Sequence, residues 1–330
     1  MFNEASGLLK KKCSIAPGKI ILFGEHFVVK GCPALVTAVN LYAKTCIEER
    51  NDNKHYLYSQ QLGKKVDLDS SQIDKWARSF KIIYQLVSEE YGKPKGFNAI
   101  IDSGIPMAAG MGSSAATAVS FTHALLSFID NNPGKELVNK IAFEAEKIVH
   151  VKPSGVDNTI AVYGGLIYYK KGEIKPLNIE WPKEYSLIVV DTGVKRNTGL
   201  VVKDVLERYD RNPEIMEKIY EAASLITNKA LEYIKNKNFK QLGELMNINH
   251  GLLVAIGVSI LETEVLVHKL LSLGALGAKI SGAGRGGIVY GIVDREHVEK
   301  MVKAFKEMGY NAFGLQPVKE GVREINDEQG

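Results

Sequence analysis

One stretch limits the architecture more than any other: Pro106-Met107-Ala108-Ala109-Gly110-Met111-Gly112-Ser113-Ser114-Ala115-Ala116. A strand-like apolar run precedes it at residues 97–101, and a long small-residue and apolar segment follows to residue 128. The order is strand, glycine-containing loop, then a helix opening at two serines. Such a loop presents consecutive backbone N–H groups, and the helix behind it adds the positive end of its dipole. Its glycines let a phosphate reach the backbone with no Cβ in the way. The stretch therefore reads as a phosphate-binding turn. Pro106, Ala109, Gly110, Met111, Gly112, Ser113, Ser114 and Ala115 are the candidate cofactor-binding residues.

The rest of the chain must say whose phosphate is bound. With 330 residues there is room for two domains and a sizeable core. A net charge of +4 with dispersed Lys and Arg argues against a nucleic-acid partner, and Lys10-Lys11-Lys12 reads as a solvated N-terminal cluster. No run of about eighteen apolar residues exists, so no membrane span is expected. The first residues lack the apolar core of a signal peptide. Cys13, Cys32 and Cys46 show no metal-ligand spacing and read as reduced packing residues, which fits a cytoplasmic chain.

Along the sequence, residues 14–29 read as a strand, a turn at Ala16-Pro17-Gly18-Lys19, and a second strand interrupted by Gly24-Glu25-His26. Strands are expected at 34–39 and 43–49, and a polar turn at 63–67. Helical periodicity covers 73–91 and 135–149, the latter stopped before Lys152-Pro153-Ser154-Gly155. Strands follow at 164–169 and 185–190. From residue 198 the texture is helical, at 198–209, 215–236, 239–252 and 262–273. A second glycine loop, Ser281-Gly282-Ala283-Gly284-Arg285-Gly286-Gly287, lies between strands at 275–280 and 288–293. A helix at 296–308 and a closing strand at 312–317 complete the pattern, with a mobile tail expected after Glu320. This is an α+β chain in two lobes, divided near Pro182 into residues 1–182 and 183–330.

Gly110-x-Gly112-x-x-Ala115 matches the dinucleotide fingerprint. However, residues 103–109 separate it from the strand, where a Rossmann turn would be immediate. No GxxxxGK[ST] element is present, so this is not a P-loop. The serines could cap the helix, but a hydroxyl beside a triphosphate can also ligate Mg²⁺. Glu146 is a second candidate Mg²⁺ ligand, and its neighbour Glu144 fits the role of a solvated face residue equally well. Asp157 could cap the next helix or accept the proton of a substrate hydroxyl. Lys19, pointing into a cleft, could orient that carboxylate and stabilise its charge. Phosphoryl transfer needs such a metal site, cation and acid together. Glu25 and His26, polar within an apolar run, are candidate substrate contacts; a satisfied core pair is the competing reading.

Three separated motifs, Ala16-Pro17-Gly18-Lys19, the 110–116 stretch and Ser281–Gly287, resemble in order motifs one, two and three of the GHMP kinases. That family is named for galactokinase, homoserine kinase, mevalonate kinase and phosphomevalonate kinase. The run Gly24-Glu25-His26 is shared with galactokinases, but their continuation Thr-Asp-Tyr is absent. Pro153–Asn158, Tyr163-Gly164-Gly165, Arg196-Asn197-Thr198 and Asn249–Leu253 add to the resemblance. It implies an N-terminal lobe like ribosomal protein S5 domain two and a ferredoxin-like C-terminal lobe, with the active site between them. It implies ATP and Mg²⁺ as cofactors and a small-molecule alcohol as substrate, and leaves monomer and homodimer both open. Asp157 would be the catalytic acid/base with Lys19 as its charged partner, and Ser114 and Glu146 would hold the metal. Glu25, His26, Thr198 and Gly284 would line the substrate beside Lys19 and Asp157. A phosphorylated substrate, as in phosphomevalonate kinase, would need extra cations, for which Lys195, Arg196 and Arg285 are the candidates. Homoserine is a further alternative substrate. Arg285 departs from the family, where glycine is usual; it could face the phosphates or the solvent.

Overall fold

The computed structural model describes residues 9–106, 110–129, 132–149 and 154–326. Two long antiparallel strands, β1 (Lys11–Phe23) and β2 (Ala34–Glu49), form the spine of the first sheet. Residues 13–20 of β1 are all buried, so the strand is covered on both faces. The hairpin of β3 (His55–Ser59) and β4 (Lys64–Asp67) is followed by helix α1 (Arg78–Tyr91) and β5 (Phe97–Ser103). β5 slots between β2 and β3, antiparallel to β2 and parallel to β3.

Helix α2 (Ser113–Phe128) runs through the centre of this lobe. Twelve of its 16 residues are buried, so it has no solvent face and its sequence is apolar all round. Two of its buried hydroxyls find partners, and Ser127 Oγ has none: Ser120 pairs with Thr45 at 2.8 Å, and Thr122 donates to the Ala118 carbonyl at 2.8 Å. Helices α3 (Lys135–Val149) and α4 (Val156–Tyr163) pack beside it. β6 (Leu166–Lys170) then pairs with the start of β2, and β7 (Glu173–Leu177) with β6.

The second sheet contains β8 (Tyr185–Asp191), β9 (Gly277–Ser281), β10 (Ile288–Asp294) and β11 (Asn311–Leu315) in the order β11-β8-β10-β9, all antiparallel. Between β8 and β9 come α5 (Thr198–Arg211), α6 (Pro213–Lys235), α7 (Phe239–Ala255) and α8 (Leu261–Ser272). α9 (Val298–Glu307) joins β10 to β11. α7 lies close on β9, where a Cβ on Gly277 would stand 2.2 Å from the Gly243 carbonyl oxygen.

The two sheets meet where β1 ends. Ser281 Oγ donates to the Ile21 carbonyl at 3.1 Å and Tyr290 OH to the Leu22 carbonyl at 2.8 Å. Phe27 crosses over to pack edge-on against Tyr220, ring centroids 5.0 Å apart.

Several expectations need correction. Ala16-Pro17-Gly18-Lys19 is not a turn: β1 runs straight through it, with a register shift between Pro17 and Gly18. Proline lacks an N–H, and a bulge does not require one there. β2 is likewise one strand, and Asn40 and Leu41 are the extra residues opposite that bulge. Phe27–Lys30 is a 3₁₀ turn instead of a strand. The segment expected as a polar turn at 63–67 contains β4, and β7 escaped notice because its residues are mostly exposed. The described part of the tail is not free: β12 (Arg323–Ile325) pairs with the outer edge of β1 and so belongs to the first sheet. Cys13 and Cys46, opposite each other in the β1–β2 ladder, form a disulfide, leaving Cys32 as the free thiol. Spacing of 33 residues in sequence gave no hint of a pair that only strand register creates.

Candidate active site

The site forms where β1, the glycine loop before α2, and the first turn of α4 converge. Lys19 is buried at the β1 bulge, and its backbone N–H donates to the Met111 carbonyl at 2.9 Å. This bond ties motif one to motif two. Gly18 is required there because a Cβ would lie 3.0 Å from that same Met111 oxygen. The Lys19 Nζ reaches Asp157 Oδ1 at 3.4 Å, with the lysine side chain 7% exposed and the aspartate 40%.

Asp157 does not cap α4. The cap position is Gly155, at φ 73°, which puts Asp157 in the first helical turn with its carboxylate free for Lys19 and toward the positive end of the dipole. A Cβ on Gly155 would meet the Phe143 ring at 3.1 Å, so α3 sets where α4 begins. The two serines of α2 are not caps either. Gly112, at φ 77°, takes that place, and neither serine makes a capping hydrogen bond. Ser114 is exposed, and Thr117 fills the turn behind by donating to the carbonyls of Ser113 and Ser114. The first N–H groups of α2 have no partner within the helix and face the loop, as an anion site needs. Gly110, at φ 78°, and Gly112 shape that loop; Pro106 lies at its entrance, and Ala109 falls outside the described residues.

The structure separates Glu146 from Glu144. Glu144 is paired with Lys147 at 2.7 Å on the surface. Glu146 is half-buried, and its Oε2 is buried with no hydrogen-bond partner. Burial pushes its carboxyl up to about 7, and the negative charge of Asp157 adds to the effect. A carboxylate held unpartnered beside a second one is what a divalent cation relieves. No cluster of three or more His, Cys, Asp or Glu is found among the described residues. Any metal here would therefore take part of its coordination from phosphate oxygens and hydroxyls such as Ser114.

Glu25 and His26 lie behind Lys19 at the junction of the lobes. Glu25 is fully buried and ion-paired to Lys279 of β9, whose Nζ also donates to the Ile280 carbonyl at 2.8 Å. Burial raises the Glu25 carboxyl and lowers the Lys279 ammonium, and their mutual attraction opposes both shifts. Glu25 is thus a core ion pair and still has a free oxygen, since its Oε2 is buried without a partner. His26, at φ 60°, donates from Nε2 to the Ala283 carbonyl at 2.8 Å, because a carbonyl can only accept. Burial lowers its pKa, and Arg196 and Arg285 add to the shift.

The glycines of the second loop are explained by the protein itself. A Cβ at Gly284 would stand 2.3 Å from the Val258 oxygen, and one at Gly286 would stand 2.4 Å from the Val194 oxygen. The structure therefore gives Gly284 a packing partner without placing it against Glu25. Thr198 is exposed at the start of α5, two residues past Arg196.

Two further residues lie against the candidate site: Arg196, read from the sequence only as a possible extra cation, and Lys279, not singled out there. Arg196 donates from Nη1 to the Gly286 carbonyl at 2.5 Å, and its guanidinium occupies the space that a Cβ on Gly110 or Gly282 would approach to 2.9 or 3.0 Å. It bridges the two glycine loops. Lys279 was recognisable in principle as a charge inside the apolar run 275–280.

Comparison with known proteins identifies the family. The chain matches the model of the GHMP kinases N terminal domain over residues 78–165 and of the GHMP kinases C terminal domain over 230–311. It is 36% identical over 326 residues to a mevalonate kinase of Aeropyrum pernix, covering 93% of this chain and 96% of that one. A mevalonate kinase of Pyrococcus abyssi is also 36% identical, with the same coverage. Among solved structures, L. major mevalonate kinase in complex with R-mevalonate superposes with a TM-score of 0.82 at 30% identity, covering 96% of this chain and 99% of that one.

Proposed function

The chain belongs to the GHMP kinase family and is an ATP-dependent kinase of a small-molecule alcohol; on that premise we propose that its substrate is (R)-mevalonate, phosphorylated on the 5-hydroxyl to give 5-phosphomevalonate. The observation that carries the reading is the buried Lys19 Nζ, 3.4 Å from Asp157 Oδ1, on a lysine whose backbone is fastened to the phosphate loop. The choice of mevalonate within the family is supported by relatives alike over nearly the whole chain.

In the proposed mechanism the loop 110–115 and the start of α2 hold the ATP phosphates. Ser114 and Glu146 would hold Mg²⁺, which when bound neutralises charge on the phosphate oxygens. Glu25 Oε2 and His26 orient the alcohol, with Thr198 closing the substrate side. The 5-hydroxyl oxygen forms the new bond to the γ-phosphorus as the bond from that phosphorus to the β,γ-bridging oxygen breaks and ADP leaves. Asp157 holds the hydroxyl and takes its proton, and Lys19 keeps the carboxylate aimed. Arg196 stands between the loops as a cation against the transferring group.

Phosphomevalonate is disfavoured as substrate because one of its three candidate cations, Arg285, is already paired with Asp204. We further propose residues 1–182 and 183–330 as the functional lobes, with β12 as the return of the second onto the first. No helix among the described residues is long and apolar enough to cross a membrane. A cytoplasmic location, proposed from the need for ATP, must accommodate the Cys13–Cys46 bridge, as intracellular proteins of hyperthermophiles do.

ADP release with mevalonate, phosphomevalonate, homoserine and galactose, measured side by side, tests the substrate. Mevalonate should give the highest kcat/KM; silence with mevalonate and turnover of another alcohol would overturn the proposal.

A further inference from the structure

The loop at 282–287 has positive φ at five of its six residues: Gly282, Gly284, Arg285, Gly286 and Gly287. Glycine tolerates that backbone freely. Arginine at φ 52° does so only against the steric crowding of its Cβ. Something must hold Arg285 there, and its side chain shows what. The guanidinium is ion-paired through Nη2 to Asp204 of α5, and Nε donates to the Gly257 carbonyl at 3.0 Å. The Arg285 backbone N–H reaches the Val258 carbonyl at 2.7 Å. Apart from the methyl group of Ala283, Arg285 has the only side chain in this loop and the only polar one.

The carbonyls on either side of Arg285 hold residues of the site. Two positions before it, the Ala283 oxygen accepts His26 Nε2 at 2.8 Å; one position after it, the Gly286 oxygen accepts Arg196 Nη1 at 2.5 Å. A glycine-rich loop with no anchor would sample many conformations and carry both carbonyls with it. We propose that Arg285 is a positioning residue: by fastening the loop to Asp204 and Gly257 it fixes the Ala283 and Gly286 carbonyls, and through them His26 and Arg196, for substrate binding. The inference rests on the reading that this site binds the alcohol. Arg285 is one-third exposed, and its guanidinium is turned onto the side of α5, with Asp204 and the Gly257 carbonyl as its partners.

The test is the steady-state kinetics of wild type, Arg285→Gly, Arg285→Lys, Asp204→Asn and the Arg285→Gly/Asp204→Asn double variant. The substrate is whichever alcohol the four-substrate assay shows to be turned over. Failure with mevalonate therefore counts against the substrate proposal and not against this one. Arg285→Gly should raise the KM for the alcohol about three- to tenfold, the size of a partly exposed charge-assisted pair, with kcat changed less than about twofold. Asp204→Asn should reproduce the rise and the double variant should add little to it, because both remove the same link. Arg285→Lys should recover part of the effect, since an ammonium can reach Asp204 but cannot hold the Gly257 carbonyl in the same fork. The ¹⁵N signals of the His26 ring give a readout independent of turnover: the Nε2–H tautomer pattern should blur in Arg285→Gly. An unchanged KM with a wild-type His26 pattern would overturn the proposal. So would a fall in melting temperature alone, or a KM rise that Asp204→Asn does not share.

Discussion

Lys279 and Glu25, 254 residues apart in sequence, form an ion pair across the two lobes in which neither side chain has any exposed surface. Removing one partner leaves the other as an uncompensated buried charge, a loss of about 3–5 kcal/mol. Lys279→Met should show a loss of that order in urea unfolding. Glu25→Gln combined with Lys279→Met should regain much of it, since no buried charge then remains. A double variant as unstable as the single would mean that charge compensation is not what the pair provides. Because Glu25 Oε2 is the free acceptor, Lys279→Met should also raise the KM for the alcohol.

Asp157→Asn keeps the shape of the side chain and removes the base. Turnover should fall by about 10²–10⁴-fold, the usual contribution of a positioned general base, while calorimetric binding of an ATP analogue stays within a few-fold of wild type. Lys19→Met should depress kcat similarly, since its Nζ is the cation 3.4 Å from that carboxylate. Near-normal turnover in Asp157→Asn would end the assignment of the base.

Gly112 tests the phosphate turn. It has φ 77°, and a Cβ there would stand 2.9 Å from the Lys19 Cγ. Gly112→Ala should therefore cost about 1–2 kcal/mol in backbone conformation and also push Lys19 away from Asp157, lowering kcat and raising the KM for ATP. Gly104→Ala is the control. It has ordinary φ, and its nearest neighbour is the Tyr42 oxygen at 3.7 Å, so its kinetics should stay at wild-type values. Equal behaviour of the two variants would remove the special role of Gly112.

Residues that express local chemistry were legible in the sequence. The glycine loop, the serines and Lys19 stood in recognisable local patterns, and helices α3 and α5 to α8 declared themselves by periodicity. Residues whose partner lies far along the chain were not legible. Pro17-Gly18 carries turn chemistry, and only the long β2 opposite reveals a bulge. Glu144 and Glu146 are indistinguishable by type and position; burial against α4 alone selects Glu146. Lys279, Arg196 and β12 acquire their roles from contacts across the lobes, so a charge in an apolar run or a candidate cation could be noticed in the sequence but not given its partner. Arg285 could be singled out as unusual but not explained until Asp204, 81 residues away, was found beside it.

The Cys13–Cys46 bridge joins adjacent strands 33 residues apart, directly upstream of Lys19. By the chain-entropy account, closing a loop of that length stabilises the fold by about 3–4 kcal/mol. Cys13→Ser/Cys46→Ser should lower the melting temperature measurably, with KM values unchanged because neither residue touches the site. Thiol titration of denatured, unreduced protein should find one group, Cys32, and three after reduction. Three thiols before reduction would show that the bridge is not formed.

His123 predicts an acid limit on stability. It lies in α2, and its Nδ1 is hydrogen-bonded to Ser14 Oγ of β1 at 2.8 Å. Burial pulls its pKa down to about 4; Glu324 on β12 opposes this and Lys135 on α3 adds to it. In the unfolded chain the group returns to about 6.5. Above that pH neither state binds the proton, and the group contributes nothing. Between about pH 6.5 and pH 4 the unfolded state holds a proton that the folded state lacks, so stability falls as pH falls, by up to about 3 kcal/mol from this residue. His26 and His250 are also lowered by burial and act in the same direction, so the measurement is a difference. Urea unfolding from pH 7 to pH 4 should show a shallower loss for His123→Gln than for wild type, and a steeper one for Glu324→Gln. Parallel stability curves for wild type and His123→Gln would mean that this imidazole binds its proton equally in the folded and unfolded states, with Glu324 balancing its burial.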